Sequence, residues 1–127
     1  MTATSSRSMM INLSETASNA MLDELSRMMG GGSIELISDE RVLVVLRLSD
    51  PAAVIAIGGE IEFDEIEQGI ARASGKAMAA RVVAADGSEI FSCDVGDENS
   101  DAVIRLTSMQ INRGAPVLIN SFRLGMP

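Results

Sequence analysis

Apolar positions follow two periods along this chain, one near the start and another through almost all of the rest. Ala17, Met21, Leu22, Leu25, Met28 and Met29 recur at helical spacing, while Glu15, Asp23, Glu24 and Arg27 fall elsewhere around the turn. Asn12 or Ser14 suits the cap, and Glu15 stands three residues after Asn12, as a capping box requires. Gly30-Gly31-Gly32 supplies the residues that accept a left-handed C-terminal turn. The spacing predicts one amphipathic helix over 14–29.

After Gly32 the pattern alternates with period two. Ile34–Ser38 reads as a strand, Asp39-Glu40 as a turn, and Val42–Leu48 as a strand so continuously apolar that both its faces should be covered. Ser49-Asp50-Pro51 breaks it, Ala52–Ile57 reads as a further apolar strand, and Gly58-Gly59 suits a tight hairpin. In Glu60–Asp64, Ile61 and Phe63 point one way and Glu60, Glu62 and Asp64 the other. Gly69–Ala73 and Ala77–Ala84 flank Ser74-Gly75-Lys76, which reads as a hairpin turn, and Asp86-Gly87 is a stronger one. Glu89–Val95 places Phe91, Cys93 and Val95 on one face. Ala102–Leu106 follows, and Arg113-Gly114-Ala115-Pro116 turns the chain into Val117–Leu124.

About nine short strands at eight- to twelve-residue spacing predict a mainly β fold, an antiparallel β-sandwich or barrel-like domain. Parallel strands need crossover helices, and the pattern offers none. The expected organisation is an extended N-terminal arm over 1–13 and a single β-rich domain over 14–127 whose leading helix is 14–29. The arm ends in the apolar run Met9, Met10, Ile11 and Leu13, broken only by Asn12. These four residues are the candidate partner-binding segment. The alternative for them is packing on the domain's own core.

Composition narrows the chemistry. The 127 residues include no histidine, tryptophan or tyrosine and only three phenylalanines, so Val, Ile, Leu, Met and Ala must fill the core. The nine methionines serve either as core filler or as an adaptable contact surface. The formal net charge of -8 disfavours nucleic acid and anionic membrane as partners, since both need a basic footprint. No run approaches the length of a spanning helix, and the opening residues lack the apolar centre of a secretory signal. One cysteine forms no internal disulfide, which suits a reducing compartment.

Without histidine, a Ser-His-Asp or Cys-His pair is impossible in this chain, and the commonest metal ligand is missing. Gly30-Gly31-Gly32 follows a helix, whereas a phosphate-binding loop precedes one. Glu60, Glu62 and Asp64 read as a solvated row. Asp94, Asp97, Glu98 and Asp101 around Gly96 do not match a calcium loop and read as a polar turn. Cys93, between Phe91 and Val95, reads as a buried, inert thiol. The sequence therefore predicts no catalytic residue, no metal and no cofactor.

Several segments carry a family resemblance in their order. Lys76–Ser88, with its strand leading into Asp86-Gly87, resembles a signature of small virion-associated structural proteins of tailed bacteriophages. Cys93-Asp94-Val95-Gly96, a polar loop and Ile104-Arg105-Leu106 are similar to the strands that follow. Ile111–Val117 and Ile119–Pro127 resemble the family's close, a glycine turn, a Ser-Phe strand and a terminal proline. Asn19–Leu25 with the glycines after it resembles its opening. The likeness spans most of residues 16–127. It departs at Ala79-Ala80, where the family tends to carry an aromatic pair, and in a longer arm. It implies a non-enzymatic role in the virion, assembled in the host cytoplasm. A capsid decoration or cement protein bound to the major capsid protein or other virion proteins is expected, as a homo-oligomer. A neck, tail or fibre-base component is the alternative. A carbohydrate-binding module is a remote one, because no Trp or Tyr offers a sugar platform.

Overall fold

The computed structural model describes residues 14–50, 52, 56–63 and 66–125. It is mainly β, with one leading helix. Helix α1 spans Glu15–Met29, and Ser14 caps it by accepting the Ala17 N–H on its hydroxyl at 3.1 Å. Gly30 ends the helix, and the Gly32 N–H returns to the Met29 carbonyl at 2.9 Å.

Strands β1 (Ser33–Ser38) and β2 (Arg41–Arg47) form a hairpin whose two-residue turn, Asp39-Glu40, has positive φ at both positions. β2 is not covered on both faces as its sequence predicts. Leu36 pairs with Val44 and Ile37 with Val42, so Leu43 is the extra residue of a bulge. The bulge turns Leu43 and Val44 inward together and leaves Val42 and Val45 half-buried outside.

The remaining strands are β3 (Glu60–Glu62), β4 (Gly69–Ile70), β5 (Gly75–Lys76), β6 (Ala79–Val83), β7 (Glu89–Asp97), β8 (Ile104–Leu106), β9 (Gln110–Ile111), β10 (Pro116–Val117) and β11 (Ile119–Gly125). Seven of the eleven strands among the described residues make one sheet in the order β2-β1-β6-β7-β8-β11-β3. One stretch of chain joins its two outer strands. At its start β3 pairs with β11. Further on, Leu48 bridges Ile66, and Glu67 and Arg72 donate to the Arg47 and Leu43 carbonyls of β2 at 3.0 and 2.8 Å. Gly69 lies so close to β2 that a Cβ there would stand 2.6 Å from the Val45 carbonyl oxygen. The sheet thus curls into a barrel-like closure around Leu36, Leu46, Val82, Ile104 and Phe122, all buried. The three phenylalanines cluster in this core, with ring centroids 4.5 Å apart for Phe63–Phe122 and 6.4 Å for Phe91–Phe122.

Two strand-level expectations are corrected. Ser74-Gly75-Lys76 is not a hairpin turn. Gly75 does not adopt positive φ, and β5 pairs with β9 while β4 pairs with β10. The sheet is also not wholly antiparallel, because β7 and β8 run parallel, with Val95 opposite Ile104 and Asp97 opposite Leu106. No helix makes this crossover. Segment 98–103 does so through its own polar groups. Asn99 N–H donates to Asp97 Oδ1 at 2.9 Å, Ser100 Oγ to the Asp97 carbonyl at 2.8 Å, and Val103 N–H to Asp94 Oδ1 at 3.0 Å. Of the expected strand Ala52–Ile57, residues 53–55 lie outside the described residues, and Ala52 and Ala56 are buried.

Candidate interaction surface

The apolar arc of α1 spans about 140° at 100° per residue, and the barrel takes only half of it. Ser18, Leu22, Ser26 and Met29 face the sheet. Leu25 sits at the boundary, while Met21 and Met28 remain 50 % and 47 % exposed, with Ala20 exposed beside them. The periodicity predicts one apolar side, and the structure divides it into an inner and an outer stripe.

The helix is held in this rotation from its polar side. Asn19 Oδ1 accepts the Gly59 N–H at 2.9 Å, and Asp23 Oδ1 accepts the Ala56 N–H at 2.7 Å. These two residues stand one turn apart and grip the hairpin around Gly58-Gly59. Compact Ser18 and Ser26 then face the barrel, and Gly59 packs near Ser18. The Met21–Leu25–Met28 stripe is turned to the opposite flank, where it lines an open apolar hollow with Ala20 and Glu24. Glu24 and Arg27 form an ion pair along its rim, with Arg27 Nε donating to Glu24 Oε1 at 2.9 Å. That bond lowers the Glu24 carboxyl below its usual range and raises the Arg27 guanidinium.

Of the described methionines, Met29 is fully buried, Met109 is half-buried against the core, and Met21, Met28 and Met78 are exposed. The arm candidates Met9, Met10, Ile11 and Leu13 lie outside the described residues. They precede Ser14, the cap of the same helix. Sequence reading missed Asn19 and Asp23. Their signal is two short polar side chains at i and i+4 on the flank of an amphipathic helix.

The acidic residues are engaged or scattered. Asp94 and Asp97 accept backbone N–H groups within the β7–β8 connection, and Asn120 Nδ2 donates to Glu98 Oε2 at 3.2 Å. Glu62 pairs with Arg123 at 3.2 Å, Glu60 is exposed, and Asp64 lies outside the described residues. Among the described residues, no three His, Cys, Asp or Glu side chains gather to hold a metal ion. A cleft of about 240 Å³ between β9 and β10 is lined by Gln68, Thr107, Gln110 and Asn112, with no acid or base in its wall. Cys93 is half-buried in β7, and burial, with the Asp94 charge second, pushes its thiol up to about 12. No helix among the described residues is long and apolar enough to cross a membrane.

Fold and surface together define a mainly β, barrel-like domain with a leading helix that leaves Met21 and Met28 exposed and packs Leu25, at the boundary, partly against the core. Comparison with known protein families, characterised proteins and solved structures gives no match.

Proposed function

We propose that this chain is a non-catalytic structural protein of a bacteriophage virion, most concretely a decoration or cement protein that stabilises the head shell. The carrying observation is the outer stripe of α1, where exposed Met21 and Met28 flank half-buried Leu25 beside a rim ion pair. A monomer that worked alone in solution would gain by covering or replacing these side chains. The arm run Met9, Met10, Ile11 and Leu13 enters the same helix and offers a second apolar contact. The family resemblance over most of residues 16–127 supports the same reading, as does the acidic composition of a solvent-facing protein. The partners are the major capsid protein or other virion proteins. Many copies, each weakly held, would stabilise the shell through multivalency. A neck, tail or fibre-base position is the alternative within the same class.

The test is reconstitution on purified particles lacking this protein, followed by quantitative mass spectrometry of the washed particles. Hundreds of bound copies support decoration, whereas about six to a dozen move the protein to a symmetric neck or tail ring. No particle association at any protein concentration overturns the virion reading. Deleting residues 1–13 is expected to lower occupancy at least tenfold while leaving the thermal transition of the domain unchanged.

A further inference from the structure

We infer that the outer stripe of α1 pairs with the same stripe of a second copy, the two helices antiparallel. This rests on the reading of α1 as a contact face, though not on which particle is built. The stripe is close to a palindrome. Met21, Leu25 and Met28 read alike from either end, and the outer rim carries one acid, Glu24, and one base, Arg27. Laid antiparallel about Leu25, Met21 of each copy meets Met28 of the other, and the two leucines meet at the dyad. The same register brings Glu24 opposite Arg27 of the other copy, twice over. In a parallel pair the dyad would run along the helices and set the two Glu24–Arg27 rims on opposite sides of the interface, so neither acid would meet the other copy's base. Ala20 on the outer turn leaves room for helices to approach to about 8–10 Å.

Isologous pairing is the commonest oligomer symmetry, and a surface that complements itself is what it requires. One helix face offers much less than the ~800 Å² per partner of a standard interface, so the dimer is weak, micromolar or weaker. With the dyad at Leu25, this antiparallel order sends the two N-termini to opposite ends, about 30 Å apart along the axis. Each dimer would then present two separated arms.

Sedimentation equilibrium of the full chain from about 1 μM to 1 mM, at about 0.15 M salt to screen the net charge, reads the association directly. The expected result is a reversible shift from 13.4 kDa toward twice that mass. M21E/M28E, altered only at half-exposed side chains, is expected to weaken association more than about thirtyfold with an unchanged thermal transition. E24R alone is expected to weaken it about tenfold, and E24R/R27E to restore it. Orientation is read by cysteine cross-linking in a C93S background. L25C is expected to link to itself, while M21C and M28C link only when mixed. Self-linking of M21C alone and of M28C alone, a monomer at every concentration, or a dimer indifferent to M21E/M28E each overturns the inference. A monomer that still decorates particles overturns the pairing and leaves the virion reading standing. A dimer that ignores particles does the reverse.

Discussion

Cys93 shows how one residue's chemistry follows from its place in the wall. Its thiol is half-buried beside Asp94, and both surroundings disfavour a thiolate. With the thiol raised from 9.0 to about 12, thiolate below pH 9 is two to three orders of magnitude scarcer than for an unperturbed cysteine. Alkylation by iodoacetamide at pH 8 is expected to be slower than that of the unfolded chain by a comparable factor, and an equal rate would refute the buried setting. The same shift has a stability consequence. The folded state holds the proton more tightly, so this contribution is full below pH 9 and is lost as pH rises toward 12. C93A is expected to flatten the alkaline fall in the unfolding midpoint over that window. Asp39 and Glu40 carry a different local cost, because both adopt positive φ without being glycine. Glu40→Gly is expected to stabilise the domain by about 0.5–1 kcal/mol, read as a rise of about 2–4 °C in melting temperature. A fall would show that the Glu40 side chain contributes more than its backbone costs.

At the scale of elements, short connections determine which strands meet. The β7–β8 pair is parallel across segment 98–103, much shorter than an ordinary crossover. It fits because Gly96 lacks a side chain, since a Cβ there would stand 2.1 Å from Ser100 Oγ and 2.9 Å from the Ala102 Cβ. Gly96→Ala is expected to destabilise the domain by about 1–3 kcal/mol in urea unfolding, with Gly87→Ala less informative because its positive φ adds a backbone cost. Helix α1 depends on two polar anchors as much as on its apolar contacts. Replacing Asn19 and Asp23 together by Ala is expected to loosen the helix from the 56–59 hairpin, read as faster amide exchange at Ala56 and Gly59. Unchanged exchange would mean that Leu22 and Met29 hold the helix unaided.

Across the whole molecule, helix limits, most strand positions and the Asp39-Glu40, Gly58-Gly59 and Asp86-Gly87 turns were legible in the sequence. Each depends on neighbours within a few residues, through hydrophobic period, capping and turn chemistry. The mainly β class followed from their number and spacing. Legibility failed where a contact joins distant residues. Ser74-Gly75-Lys76 has the composition of a turn, yet β5 is drawn to β9 and β4 to the edge of β2. Val42–Leu48 reads as a doubly covered strand, yet a bulge at Leu43 produces its paired burial. The polar crossover at 98–103 carries no periodic signal from which a parallel pair could be inferred.

The same division holds for the candidate surface. By itself the sequence determined that α1 has one apolar side, and that no histidine-based chemistry is open to the chain. Which methionines would be left outside was decided only by tertiary structure. Asn19 and Asp23 bind backbone N–H groups some 33 to 40 residues away, and those bonds set the rotation that buries Met29 and exposes Met21 and Met28. A helix's periodicity says how wide its apolar face is, but the direction it faces is settled by whatever grips its flank.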